Sequence, residues 1–429
     1  MILKVQPAAF VRGAVHVPSS KSYSIRAFMI AACGGISFIR NPSPCDDARV
    51  SMRVARNLGA QLTRLHRETW KVAAKRNPLR LSHIHVGESG TVLRFILPLV
   101  ALYGRKATIG GQGTLKGRPN LFLTRTLRSM GVEIFGEGRQ EGIPIRIQGG
   151  SLRGGNIQID GSLSSQFISA LLIACPQMGE DTSLTLTGQK IVSADYITMT
   201  MQVLDKSGVK IRREGLRRYV IPANQRFKGL KNFTVPADYG LAAFLMAAAV
   251  LNKSDVALEG AFDDRFVQAD SHILRLLEKM GVKFQKTSKS IRMKGPFCLK
   301  GGDFSLKDCP DLVPVMAILA LFADGPTRLL DIGHARVKES DRISDLGQEL
   351  RKIGAKVVEK RNEIVIYPQN QYKTDCLLDP HRDHRLAMSF AILGSKLGMR
   401  IRDIECVSKS YPGFIRDLKR LGVQAVGVR

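Results

Sequence analysis

The chain has 429 residues, 44% of them hydrophobic and 24% charged, a mix that supports buried cores in two or three domains and excludes a disordered or fibrous chain. Sixty-five Lys and Arg against 37 Asp and Glu give a formal charge of +28, spread in pairs such as Arg212-Arg213 and Lys360-Arg361 with no basic tail, so anionic partners are favoured without a nucleic-acid motif to receive them. Seven cysteines without a C-x-x-C pair fit a reduced cytoplasmic setting, and the absence of a signal core in Met1–Val17 or of an apolar run near the roughly 20 residues of a membrane span predicts no membrane role.

Taken in chain order, two elements alternate. Ser19-Ser20-Lys21-Ser22 opens an apolar stretch, Ile25–Cys33, and an amphipathic run then ends at Leu58-Gly59-Ala60. Gly87-Glu88-Ser89-Gly90-Thr91 opens Val92–Tyr103, and the following run ends at Met130-Gly131-Val132. Ser162-Leu163-Ser164-Ser165-Gln166 opens Phe167–Cys175, followed by Ser207-Gly208-Val209. Pro236-Ala237-Asp238 opens Tyr239–Leu251, followed by Met280-Gly281-Val282. Pro310-Asp311 opens Leu312–Phe322, followed by Ile353-Gly354-Ala355, and Asp383-His384-Arg385 opens Leu386–Leu397, followed by Leu421-Gly422-Val423.

The six glycines are spaced 72, 77, 73, 73 and 68 residues apart, the mark of an internal repeat of about 71 residues. Each glycine ends an amphipathic helix in the left-handed conformation, and an alternating strand follows. Each apolar stretch reads as a helix buried all round. The polar residues before it are N-cap types, but capping does not call for Lys21, Gln166 or Arg385. Free N–H groups and positive partial charge at a helix N-terminus receive anions, so these helices are expected to aim at shared anionic ligands. Gly110–Arg118 is glycine-rich without the spacing of a phosphate-binding P-loop, which leaves a kinase or dinucleotide enzyme unsupported. The densest charged stretch is His334–Arg342, two carboxylates among three cations; Lys21, Arg26, Arg94 and Arg118 add further cations.

Pro18-Ser19-Ser20-Lys21-Ser22-Tyr23-Ser24-Ile25-Arg26, Gly90-Thr91-Val92-Leu93-Arg94, Arg118-Pro119, Ser164-Ser165-Gln166-Phe167, Arg336–Arg342, Asp383-His384-Arg385 and Ser408-Lys409 together resemble the motifs of the 5-enolpyruvylshikimate-3-phosphate synthase family of enolpyruvyl transferases, in family order over nearly the whole chain. The resemblance implies an α/β (α+β) fold of two similar lobes, each of three βαβαββ repeats, in an inside-out, barrel-like arrangement. One lobe is expected at 19–235, mainly holding shikimate 3-phosphate. The other, 1–18 with 236–429, completes the phosphoenolpyruvate site. The implied reaction needs no metal and no organic cofactor. The 5-hydroxyl of shikimate 3-phosphate attacks C2 of phosphoenolpyruvate, C3 is protonated, and a tetrahedral adduct then loses phosphate. Lobes closing over two such anions would make each cation count for more in a dry site.

Carried over by position, the resemblance makes Asp311, Glu339 and Lys21 catalytic. Lys21, Ser22, Arg26, Ser164, Ser165, Gln166, Ser193, Tyr196, Asp311 and Lys338 would hold shikimate 3-phosphate. Lys21, Gly90, Arg118, Gln166, Arg342, Arg385 and Lys409 would hold phosphoenolpyruvate. A cytoplasmic monomer with small-molecule substrates, no nucleic acid and no membrane is expected. Two positions depart from the family pattern. Glu88 stands where Asn is usual, so its carboxylate must turn away, pair with a cation or be protonated. His334 also replaces Asn. Gly90 keeps the small residue associated with glyphosate sensitivity. The alternatives are a UDP-N-acetylglucosamine enolpyruvyl transferase, disfavoured because Gly110–Arg118 contains no Cys, and a basic nucleic-acid-binding protein.

Overall fold

The computed structural model describes residues 1–74, 82–103 and 106–428. The chain divides into two compact units, one of Met1–Ser19 with Pro236–Arg429 and one of Ser20–Val235. Each is mixed α/β. Six four-stranded sheets are formed among the described residues, three in each unit, and each is open rather than closed into a barrel.

One plan serves all six. In the sheet of residues 155–160, 182–187, 218–221 and 212–214, the first two strands are parallel and the rest antiparallel. A parallel pair needs a crossover, and the apolar helix Ser165–Ala174 supplies it. The second helix, Ala194–Lys206, leads into the closing hairpin. Residues 83–85, 107–110, 142–150 and 132–137 repeat this order around the helices Gly90–Leu102 and Leu121–Ser129. Residues 302–305, 327–330, 363–367 and 356–359 repeat it around Val313–Ala320 and Ser344–Lys352.

The other three sheets are completed by strands distant in sequence. In the sheet whose hairpin is 61–66 and 69–73, the first strand is Phe233–Thr234, from the far end of its unit, paired parallel with 36–40. Strand Val11–His16 pairs parallel with Ser254–Glu259, so in sequence the Ser20–Val235 unit is an insertion between two paired strands of the other unit. Strand Ile2–Val5 lies between Met399–Ile401 and Ala425–Val428, antiparallel to both.

The apolar helices fill the middle of each unit. All thirteen residues of Tyr239–Leu251 are buried. This helix packs on Val313–Ala320, and both pack on His384–Leu397. In the Ser20–Val235 unit, Gly90–Leu102 packs on both Lys21–Ala31 and Ser165–Ala174. All six repeat glycines, Gly59, Gly131, Gly208, Gly281, Gly354 and Gly422, have φ between 85° and 96° and end the amphipathic helices as their spacing predicts. Among the described residues no helix is long and apolar enough to cross a membrane.

Candidate active site

Five apolar helices start on a side-chain cap: Ser20, Ser89, Ser164, Asp238 and Asp383 each accept from a backbone N–H of the first turn. The sixth differs. Pro310–Leu312 forms a short 3-10 turn before Val313–Ala320, and Asp311 caps nothing. Its carboxylate is committed to two guanidiniums instead.

Those guanidiniums define the cluster in the Met1–Ser19 and Pro236–Arg429 unit. Asp311 Oδ1 accepts from Arg342 Nη1 at 2.6 Å, and Oδ2 lies 2.7 Å from Arg385 Nη2. Arg342 has no solvent exposure; its Nε also donates to Asp383 at 2.7 Å and its Nη2 to Glu339 at 2.9 Å. Glu339 turns its other oxygen toward Lys409 Nζ at 3.6 Å. A buried guanidinium needs such partners, and here three carboxylates converge on it. Burial alone would raise the Asp311 pKa, but Arg385, Arg342 and Lys338 hold it well below the usual carboxylate range. Arg342 is pushed well above its ordinary value by Asp383, Asp311 and Glu339, against the cost of burial. Asp311 is therefore ionised at neutral pH and can accept a proton.

Asp311, Glu339, Arg342, Arg385 and Lys409 are thus brought together. Arg336, from the same charged stretch, is not: it donates to Asp341, Glu359 and the carbonyls of Lys360 and Arg361, which ties it to a neighbouring hairpin. Lys338 follows the 3-10 turn Gly333–Val337 and lies in electrostatic reach of Asp311. His334, in that turn, is 7% exposed. Burial first and Lys338 second depress its pKa to about 3, so the imidazole is neutral throughout the physiological range.

The Ser20–Val235 unit has three groupings of its own. Lys21, at the start of its helix, places Nζ 3.3 Å from the buried Asp47. Arg26, 1% exposed, donates Nε to Thr200 Oγ1 at 2.8 Å, Nη1 to the Ser22 carbonyl at 3.0 Å and Nη2 to the Tyr196 carbonyl at 2.9 Å. Its guanidinium also lies over the Phe95 and Tyr196 rings. Burial lowers its pKa to about 10, which leaves it charged, and no carboxylate among the described residues pairs with it. Ser193 begins the Ala194–Lys206 helix at φ 56°, a left-handed conformation unusual for serine. The third grouping joins two helix starts. Gln166 accepts from Arg94 Nη1 at 2.9 Å and donates to Thr91 Oγ1 at 3.1 Å. Arg94 also donates to Asn120 and to the Pro119 carbonyl, each at 3.0 Å. Gly90 lies so close to Arg94 and Arg118 that a methyl group there would meet both guanidiniums. Ser164 caps its helix through Oγ, and Ser165 is the buried first residue.

Glu88 binds the glycine-rich turn that follows. Its Oε2 accepts from the backbone N–H and the hydroxyl of Thr114, at 3.3 and 3.2 Å, in the turn Gly113–Leu115. Asp47, Asp383 and Arg94 also enter these groupings. Their signal was position: an acid in the first turn of the next helix, a cap, and a basic residue one turn into an otherwise apolar helix.

The family model described as EPSP synthase (3-phosphoshikimate 1-carboxyvinyltransferase) matches residues 5–418. Among curated proteins, the 3-phosphoshikimate 1-carboxyvinyltransferase of Methanococcus vannielii is 33% identical over 98% of this chain and 99% of its own. That of Methanothermobacter thermautotrophicus is 35% identical, with the same coverage. Among solved structures, the EPSP synthase of Acinetobacter baumannii superposes with a TM-score of 0.79 at 24% identity, covering 99% of this chain and 100% of that one; this last likeness speaks to the fold.

Proposed function

This chain belongs to the EPSP synthase (3-phosphoshikimate 1-carboxyvinyltransferase) family, and from that premise we propose that Asp311, held between Arg342 and Arg385, is the base of its reaction. The enzyme transfers the enolpyruvyl group of phosphoenolpyruvate to the 5-hydroxyl of shikimate 3-phosphate and releases phosphate, a step of the shikimate pathway. The family match also sets aside the UDP-N-acetylglucosamine and nucleic-acid alternatives as its primary activity.

The observation that carries the assignment is the Asp311 geometry. A carboxylate bonded by two guanidiniums at 2.6 and 2.7 Å stays ionised, and both cations suit the phosphate and carboxylate of phosphoenolpyruvate. In the proposed sequence, the 5-hydroxyl oxygen bonds to C2 while its proton passes to Asp311. C3 takes up a proton at the Glu339 end of the cluster. The tetrahedral adduct then returns a proton from C3 as the C–O bond to phosphate breaks. Two carboxylates in unlike surroundings serve the two proton movements: Asp311 faces two arginines, Glu339 an arginine and a lysine. Arg342, Arg385 and Lys409 are assigned to phosphoenolpyruvate, with Lys338 toward the shikimate ring.

For the Ser20–Val235 unit we assign Arg26, a buried cation held by neutral oxygens, to the anionic groups of shikimate 3-phosphate. Ser22, Ser164, Ser165, Ser193 and Tyr196 join it. Gly90, Arg118 and Gln166 are assigned to phosphoenolpyruvate, and Lys21 to both substrates. A cytoplasmic monomer completes the proposal, and basic residues dispersed along the chain support the absence of a nucleic-acid partner.

The test is phosphate release by the purified protein with both substrates and with each omitted. Release that needs both and is lost in Asp311→Asn supports the assignment. Release preserved in that variant removes Asp311 from the role.

A further inference from the structure

A buried carboxylate outside the proposed catalytic set holds the loop that delivers part of it. Glu349, on the helix Ser344–Lys352, has essentially no solvent exposure. Its Oε2 accepts the backbone N–H of Asp379 at 2.8 Å. Lys352 Nζ lies 2.7 Å from each of its oxygens, and His381 Nε2 lies 3.3 Å from Oε1. A buried carboxylate is costly unless so compensated, and the three groups that compensate it are one on its own helix and two in the loop 379–383.

That loop is strained. His381 and Arg382 have φ of 50° and 58°, the one consecutive pair of left-handed non-glycine residues among those described. Such a pair persists only where the surroundings enforce it. The enforcement is visible: Asp379 Oδ1 accepts from the His381 N–H at 2.8 Å, and the Asp383 N–H donates to the Pro380 carbonyl at 2.8 Å. Directly after the strained pair, at 383 and 385, the chain has placed its working groups. Asp383 caps the helix His384–Leu397 and grips Arg342 through both oxygens. Arg385 reaches Asp311.

We infer that Glu349 is a positioning residue for the phosphoenolpyruvate cluster: it anchors the strained turn 379–383 and so fixes Asp383 and Arg385. It touches neither Asp311 nor Arg342 and acts through the loop. The inference rests on the assignment of Arg385 to phosphoenolpyruvate.

The experiment is steady-state kinetics of the full-length enzyme at saturating shikimate 3-phosphate. Glu349→Ala is expected to raise KM for phosphoenolpyruvate about 10-fold or more, with a smaller fall in kcat, because Arg385 is displaced from the substrate while Asp311 keeps its bond to Arg342. Glu349→Gln keeps an oxygen for the Asp379 N–H and is expected to recover most of the loss. Arg382→Gly alone, at an exposed residue that glycine replaces without strain, should leave KM unchanged. Combined with Glu349→Ala it should bring KM back at least about 3-fold toward the native value, because glycine at 382 removes one of the two strained residues that the anchor holds. A merely structural Glu349 would show no such rescue. An unchanged KM in Glu349→Ala, or a loss that Arg382→Gly does not relieve, overturns the inference. Should Glu349→Ala fail to fold, Asp379→Ala removes the loop's own bond and carries the same expectation and the same failure. Arg385→Ala is the control. If it raises KM and Glu349→Ala does not, the inference alone falls; if it leaves KM unchanged, the assignment and the inference fall together.

Discussion

Asp311 and His334 share one neighbourhood and are pushed the same way by different causes. Both pKa values are depressed, Asp311 mainly by two arginines and His334 mainly by burial. For Asp311, the folded state binds its proton less readily than the unfolded state, so its contribution to stability is present above about pH 4 and is lost as pH falls through the folded value. For His334 the folded state refuses a proton that the unfolded state accepts below about pH 6.5. Stability then falls between about pH 6.5 and 3, with a slope of at most about 1.4 kcal/mol per pH unit. Urea unfolding at stepped pH should show this slope in the native protein, and His334→Asn should flatten it. The same variant should leave the pH dependence of kcat/KM unchanged between pH 5.5 and 8.5, since a histidine neutral down to about 3 has no proton to exchange there. A limb lost in the variant would make His334 a participant. Gly90 sets a different expectation. A Cβ there would sit 2.6 Å from Arg118 Nη1, and the guanidinium must move. Gly90→Ala is expected to raise KM for phosphoenolpyruvate about 10-fold with most of kcat kept. Glyphosate should inhibit the native enzyme and inhibit the variant less; equal inhibition would show that Arg118 had simply stepped aside.

At the scale of helices and strands, the repeat glycines separate backbone strain from crowding. Gly354 has φ 85° and open space where a Cβ would go. Gly354→Ala should therefore destabilise by about 1 kcal/mol, through conformation alone, with kcat unchanged at 25 °C. Gly131, at φ 96° with the Ser151 carbonyl oxygen 2.7 Å from where a Cβ would sit, should cost more; thermal melts of the two variants give the comparison. These elements were legible in the sequence because they are local. A glycine after an amphipathic run, and a serine or aspartate before an apolar one, act on the few residues beside them. Asp311 shows where legibility stops. Its sequence fits a helix cap, but the chain turns into a 3-10 segment, and two arginines distant in sequence claim the carboxylate. Likewise nothing in the run His334–Arg342 separates Arg342, which has no exposure, from Arg336, which serves a neighbouring hairpin. The resemblance to a family marked Arg342; spacing did not.

At the scale of the whole molecule, periodicity revealed six units but not how the chain closes them. Strand Ile2–Val5 lies between two strands of the last sheet, a pairing without local signal. Removing residues 1–5 should leave Ala425–Val428 without a neighbour and destabilise the last repeat first. Limited proteolysis of the truncated protein is expected to cut near the C-terminal strand while the Ser20–Val235 unit stays intact. Simultaneous loss of both units would refute this.

The pairing of Val11–His16 with Ser254–Glu259 also bears on biosynthesis. The first strand leaves the ribosome about 240 residues before its partner, and at ~5–20 residues per second it waits tens of seconds. During that interval the intervening unit can complete its own sheets. The waiting strand meanwhile carries unsatisfied backbone groups, a template for wrong pairing. Arg12, between Val11 and Val15, keeps a charge on that nascent segment until the chain that completes it has been made.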